Sequence, residues 1–353
     1  MEVSAGDGIA LPSAVIMATT PRPRTLSIGG ATIDVFVRAD RDLVQRVAGG
    51  EAFVFPLGAK VRVREVKETC GGGASNTSVG LARLGCDSAF CGVVGSDQWG
   101  ERLLENMRRE EVDTRRATIV EGEVSSFSII LSAPSGERVI LYEPGTNAHL
   151  QDAIFDREAL GGVQRVYLNS LQEPSRIIED DIVAVLSAPQ APLLTWNPGS
   201  PQIRASVRDP MNAALLAHTD LLLVNDEEAL TFTGEKTLQG ALRSLLKAGV
   251  HTVCVTEGEK GVTASDGAHL YHCPSVASAE VRETTGAGDA FGTGATWALL
   301  HGMDLPTALK AGTINATSVV GAIGAQAGLL TDIEMRARIT SVQLSVSVRP
   351  LDS

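Results

Sequence analysis

An α/β fold built on a mainly parallel sheet is predicted by three features of the chain. Apolar strand-like segments at Arg165 to Leu168, Leu193 to Trp196, Leu221 to Val224 and Thr252 to Thr256 alternate with helix-like stretches, the pattern of a sheet covered on both faces. With 353 residues, 44% of them apolar, the chain can bury a large core as one big domain or two smaller ones. Aromatic residues make up only 4% while Gly and Ala are abundant, which suits closely packed strands and helices better than a platform for stacking bases. Ligands gather beyond the carboxyl ends of strands in such sheets, and the pattern places Asp34, Asn225 and Thr256 there.

In chain order, residues 1–24, ending in Pro21-Arg22-Pro23-Arg24, read as a flexible extension. Leu26 to Asp34 reads as a buried strand that delivers Asp34 at its carboxyl end. Val61-Arg62-Val63-Arg64-Glu65-Val66 alternates apolar and polar residues, as does part of Ser126 to Leu131, and Arg138 to Tyr142 follows a Pro134-Ser135-Gly136 turn. These are the marks of antiparallel strands with one solvated face, in an edge hairpin or a lid. Between them, the glycines of Cys70-Gly71-Gly72-Gly73-Ala74-Ser75-Asn76 lead into a helical run, Val79 to Leu84, that closes at Gly85; Cys91 to Gly100 follows a short apolar strand. The end of the chain, 341–353, reads as a tail that frays after about Ser345.

Several function classes are excluded. The formal net charge of −12, with no offsetting Lys/Arg block, argues against a nucleic-acid surface. Five cysteines without a CxxC pair leave one over, which fits reduced thiols in a cytoplasmic protein. No apolar run is long enough to span a membrane, and Ile9 to Met17 is broken by Pro12 and preceded by Glu2 and Asp7, so neither a membrane span nor a signal peptide is expected. None of the six histidines has metal-ligand spacing. Neither G-x-S-x-G nor GxxxxGK[ST] occurs, so Lys260 has no Walker-type role.

The chemistry is concentrated at Thr284-Thr285-Gly286-Ala287-Gly288-Asp289-Ala290-Phe291-Gly292-Thr293-Gly294. Small residues let backbone N–H groups converge on an anion, a helix N-terminus adds a favourable field, and an aspartate there can take a proton from an attacking hydroxyl. Taken alone, the same turn is an ordinary strand-to-helix connection with an aspartate cap. Together with the Cys70 to Asn76 glycines, the Cys91 to Gly100 segment and the Leu26 to Asp34 strand, however, it resembles the PfkB, or ribokinase-like, family of sugar and nucleoside kinases. The motifs keep the family's order from about Thr25 to Leu330.

The resemblance implies a ribokinase-like three-layer α/β/α kinase domain over residues 25–340, with a small β lid from strands within about 35–70 and 115–145. It implies ATP and Mg2+ as cofactors, Asp289 as catalytic base, and Gly286, Ala287 and Gly288 as the anion hole for the transferred phosphoryl group. Asn225 and Glu228 match the family's Asn-x-x-Glu motif that organises Mg2+ through water; a helix cap with an acidic first turn is the alternative. Thr256, Gly258 and Gly261 match its nucleotide-binding turn, which alone could be a hairpin turn, and Asn315 a helix lining the adenine pocket, with ordinary helix packing the alternative. Asp34, Gly72, Gly73 and Asn76 match positions that hydrogen-bond sugar hydroxyls. Two departures alter the sugar pocket: Gly73 stands where ribokinase has lysine, and Gln172 where an acid is expected. Asn147 and Asn197 border the site or are turn asparagines.

Glu283 replaces an aspartate that relatives often carry near a monovalent-cation site, which leaves such a cation an open question. The acceptor is expected to be a small sugar such as ribose, fructose or 2-keto-3-deoxygluconate, or alternatively a nucleoside, and the lid edges are a candidate homodimer seam. A sugar- or nucleotide-binding regulator on the same fold is the rival reading.

Overall fold

The computed structural model describes residues 21–38, 43–47, 50–133, 138–151, 160–171, 176–277 and 281–351. Gln172, the Pro134-Ser135-Gly136 turn, residues 1–20 and residues 352–353 lie outside the described residues. The first half runs β1 (Arg24–Ile28), β2 (Thr32–Arg38), β3 (Val44–Val47), β4 (Gly50–Phe53), β5 (Glu65–Gly71), α1 (Gly73–Arg83), β6 (Asp87–Gly95), α2 (Gln98–Arg109), β7 (Asp113–Val120), β8 (Phe127–Ser132) and β9 (Arg138–Glu143). It continues with β10 (Arg165–Leu168), α3 (Arg176–Leu186), β11 (Leu193–Trp196), α4 (Ser200–Ala205), α5 (Pro210–Leu216), β12 (Thr219–Asn225), α6 (Asp226–Thr233), α7 (Leu238–Lys247) and β13 (Thr252–Thr256). The last part holds β14 (Val262–Ser265), β15 (His269–Cys273), α8 (Ala287–Leu300), α9 (Leu305–Val320), α10 (Asp332–Ser341) and β16 (Ser347–Pro350).

A large sheet runs in the order β16-β15-β14-β13-β12-β11-β10-β1-β6-β7. From β13 to β7 every neighbouring pair is parallel, whereas β14, β15 and β16 add on antiparallel. The uninterrupted apolar run of β12 shows why helices flank both faces: Leu221 and Leu223 pack into one core with Trp297 and Ala298 of α8, Leu222 and Val224 into the opposite core with Phe232 of α6 and Leu242 of α7. Successive strand residues point to opposite faces, so a wholly apolar strand needs a cover on each. The α/β class and its mostly parallel sheet are as the sequence predicts.

A second sheet, β5-β2-β8-β9, has the place of the expected lid. Its details differ from the sequence reading. Leu26 to Asp34 is two strands, not one: the chain leaves the main sheet at Gly29, φ +140°, where a side chain would press on Asn169. Asp34 therefore lies within β2, paired with Thr69 of β5 and Ser128 of β8, and not at the carboxyl end of β1. Val61 to Arg64 is outside any strand and pairing starts at Glu65, while β7 belongs to the edge of the main sheet. The segment read as a fraying tail supplies β16, held against β15 and anchored by buried Leu344 and Leu351. No described helix is long and apolar enough to cross a membrane.

Candidate active site

Two backbone devices bring Asp289 and the glycine turn together. Gly286 precedes α8 in the left-handed region, φ +79°, and a side chain there would strike Ala325; only glycine meets both conditions. Gly72 precedes α1 at φ +90°, and a Cβ there would lie 2.6 Å from the Ala31 Cα. The first turns of both helices consequently meet: Asn76 Nδ2 donates to Asp289 Oδ2 at 2.9 Å. Asp289 is half-buried. Burial pushes its carboxyl up to about 6, against the pull of the Asn76 N–H.

Beside Asp289, the helix leaves its first N–H groups without intrahelical acceptors, and nothing lies within 4 Å of where a Gly288 side chain would begin. The backbone at Gly288 is thus open to an anion, while the Ala287 N–H donates to Thr284 O at 3.2 Å. Beneath the helix, Gly292 lets α8 settle on Tyr167 and Leu223. The buried Tyr167 hydroxyl has no hydrogen-bond partner among the described residues, and burial followed by the Asp289 charge holds its ionisation far above the ordinary range.

Asp34 stands on β2 within electrostatic reach of Glu283. It is 5% exposed, and any side chain at Gly71 would collide with its carboxylate. Burial raises its carboxyl to about 6, a hydrogen bond from Ser128 opposes this, and the charge of Glu283 adds to it. Glu283 accepts from the Thr284 N–H at 2.9 Å, the Thr285 N–H at 3.1 Å and the Thr285 hydroxyl at 2.8 Å. It also pairs with Arg138 of β9 at 3.6 Å, tying the second sheet to the approach to α8. Neither Ser128 nor this Arg138 link was legible in the sequence; β9 was legible only as an exposed strand.

Gly73 approaches Asn169, whose carboxamide donates to Ile28 O and the Thr77 hydroxyl while its buried Oδ1 has no partner among the described residues. Asn147 lies against Gly30 and donates to Ala31 O at 3.2 Å. Asn197 donates to Leu223 O at 2.8 Å, a backbone tie.

Asn225 and Thr256 are register partners at the carboxyl ends of β12 and β13. Asn225 Oδ1 accepts the Glu228 N–H at 2.7 Å and Glu228 Oε2 accepts the Asn225 N–H at 2.9 Å, a reciprocal cap on α6. Burial raises the Glu228 carboxyl, opposed by the Asn225 N–H, and its Oε1 has no partner among the described residues. After β13, Gly258 takes φ +56° with open space around it, whereas Gly261, φ +99°, is pressed against Cys273 and Pro274. Gly261 is therefore required by the turn's own packing.

Asn315 does not reach a pocket. It is fully buried, donates to Ala290 O at 2.8 Å and the Thr293 hydroxyl at 3.0 Å, and accepts the Leu330 N–H at 3.1 Å. Every strong group of its carboxamide is spent on joining α8, α9 and the segment before α10, so the expected adenine contact is replaced by a structural bracket.

The sequence profile of the pfkB family carbohydrate kinases matches residues 32–332. A ribokinase of Bacillus subtilis (strain 168) is 28% identical over 310 residues, 87% of this chain and 96% of the relative. A protein of Archaeoglobus fulgidus named as an uncharacterized sugar kinase is 29% identical over 266 residues, 72% of this chain and 100% of its own. Among solved structures, Arabidopsis thaliana ribokinase complexed with ribose and ATP superposes with a TM-score of 0.75, covering 91% of this chain and 99% of that one at 20% identity. At that identity the likeness is one of fold.

Proposed function

The chain belongs to the PfkB family of carbohydrate kinases, and we propose that it transfers the γ-phosphoryl group of ATP to an alcohol group of a small sugar, with Asp289 as the base. One observation carries the reading: a carboxylate at the tip of α8 is held by Asn76, beside an open glycine backbone. The carboxyl's position near pH 6 keeps Asp289 ionised at neutral pH yet more basic than an exposed aspartate, which suits a general base.

Asp289 takes the hydroxyl proton as the sugar oxygen bonds to the γ-phosphorus. The bond from that phosphorus to the β–γ bridging oxygen breaks, and ADP leaves. Amides of Gly286 and Gly288, joined by that of Ala287 if it gives up its bond to Thr284 O, meet the charge on the equatorial oxygens. Asp34, with close backbone approach at Gly72 and Gly73, orients the sugar hydroxyls. Thr256 and Gly258 take the nucleotide side.

Asn225 and Glu228 fit Mg2+ held through its waters, since the cap leaves Glu228 Oε1 uncommitted among the described residues and Mg2+ favours oxygen ligands and retained water. When bound, the ion offsets charge on the β- and γ-phosphates. Glu283 is already engaged by Thr284, Thr285 and Arg138, and the proposal needs no monovalent cation.

A coupled ADP-release assay over ribose, fructose, 2-keto-3-deoxygluconate and nucleosides tests the reading. Turnover that depends on a sugar supports it. Turnover with nucleosides alone replaces the acceptor class, and saturable sugar binding without turnover makes the chain a regulator.

A further inference from the structure

Asn76 is itself held from behind. Its Oδ1 accepts from Gln326 Nε2 at 3.1 Å, and the same nitrogen donates to the Ser75 hydroxyl at 3.0 Å. Gln326 Oε1 in turn accepts from Asn106 Nδ2 of α2 at 2.8 Å. Gln326 is 8% exposed, and its segment is clamped: Arg83 donates to the Gln326 carbonyl at 2.7 Å while gripping both oxygens of Glu110, each at 2.7 Å. Three carboxamides from α1, the segment before α10, and α2 thus stand in series behind one carboxylate.

We infer that Gln326, supported by Asn106, is a positioning residue that fixes the orientation of the Asn76 carboxamide so that its NH2 faces Asp289. The inference rests on the reading of Asp289 as base. A carboxamide has nearly the same shape with O and N exchanged, so packing cannot choose between the two; the hydrogen-bond partners must. An ionised carboxylate only accepts, hence Asn76 must donate to it, its Oδ1 must receive a donor, and that donor must come from Gln326. The Gln326 oxygen then needs the Asn106 NH2. One polarity satisfies every link, and it runs from α2 to the base.

Removing the Gln326 donor strands Asn76 Oδ1 in a buried place. The carboxamide can then turn over and present its oxygen to Asp289, which favours the protonated acid. Among the described residues, Asn76 of α1 donates to Asp289 and the neutral Tyr167 hydroxyl of β10 feels its charge. Asn106 and Gln326 border a recess of about 240 Å3 that Lys67, Glu68, Arg102 and Arg109 also line.

The test is a 13C NMR titration of the full chain labelled at aspartate carboxyls, with the Asp289 signal assigned by its loss in Asp289→Asn. Gln326→Leu, which changes no charge, is expected to raise the Asp289 pKa by about half a unit or more. Asn106→Leu should move it the same way by less, and the acid limb of the rate profile should shift in parallel with KM for ATP unchanged. A folded Gln326→Leu protein with an unmoved Asp289 pKa overturns the inference; should that variant not fold, an unmoved value in Asn106→Leu does so. Because the titration needs no turnover, it is independent of the acceptor panel: a protein inactive on every acceptor sinks the proposed function, not the relay.

Discussion

Asn76 Nδ2 lies 2.9 Å from Asp289 Oδ2, joining residues 213 positions apart in the chain across the first turns of two helices. A side chain expected to touch the sugar thus donates to the Asp289 carboxylate. Asp289→Asn preserves shape and still lets the two carboxamides pair. It should lower turnover by about 10²- to 10⁴-fold with the thermal midpoint and binding of a non-hydrolysable ATP analogue little changed. Coupled ADP release with titration calorimetry checks this, and a near-native rate removes Asp289 from the role of base.

The same carboxyl sets the pH dependence. With its pKa near 6, the ionised base is lost as pH falls, so kcat/KM should decline tenfold per unit well below that value. An acid limb centred near 4 instead of 6 means that the rate does not report this group.

Stability should run the other way. Asp34 and Asp289 both sit near 6 in the folded protein against about 4 in an unfolded chain, so between those values the folded state binds more protons and gains stability as pH falls. For buried Asp34 the gain is on the order of 2 kcal/mol, complete by about pH 4. Carboxyls held low, such as Asp113, where Arg115 keeps it at about 2, oppose this only below that range. Comparing Asp34→Asn with the parent isolates the effect: the variant should be the more stable near pH 7 and lose its lead by pH 4.5. An advantage that is constant with pH contradicts the shift.

The main sheet was legible because β10 to β13 are short apolar runs that bury both faces, and their bounds at Arg165–Leu168, Leu193–Trp196 and Thr252–Thr256 coincide with the reading. Asp34 was misplaced because Leu26 to Asp34 looks like one apolar run; the bend at Gly29 is a backbone property that the pattern does not display. Asn225 and Glu228 show the converse, since a cap and a metal motif use the same spacing. Gln326 carried no signal at all. Its partner Asn76 is 250 residues away, and it belongs to no repeating pattern, so only packing reveals it.

Gly72 and Gly288 separate structural from functional need. Gly72 combines φ +90° with contacts at 2.6–2.8 Å from any Cβ, so Gly72→Ala should destabilise by about 1–3 kcal/mol. Gly288→Ala meets open space in a helical first turn, where alanine is the better helix former. Its thermal midpoint should hold or rise while kcat/KM drops, the methyl standing where the phosphoryl group must fit. Unfolding scans beside kinetics distinguish the two, and full activity in Gly288→Ala argues against an anion hole there.

Arg138 and Glu283 join the second sheet to the segment that leads into α8, 3.6 Å apart, with the arginine partly exposed and the carboxylate nearly buried. Removing the guanidinium leaves Glu283 its Thr284 and Thr285 donors, so Arg138→Ala should change global stability by less than about 1 kcal/mol, the range of a partly exposed pair. The strand carrying Arg138 is exposed along its length, and this pair ties the sheet that holds Asp34 to the segment leading into α8. Loss of the link should therefore raise KM for the sugar severalfold and leave KM for ATP near the parent value, since Thr256 and Gly258 belong to β13 and the turn after it, outside that sheet. Replacing the carboxylate by a carboxamide keeps an oxygen that can accept from Thr284 and Thr285 but takes away the charge that raises the Asp34 pKa. Glu283→Gln should accordingly lower the Asp34 pKa, which Arg138→Ala, by unmasking Glu283, should raise. Opposite shifts in the two variants, read by carboxyl NMR, are the expected outcome, and shifts of the same sign would refute the coupling.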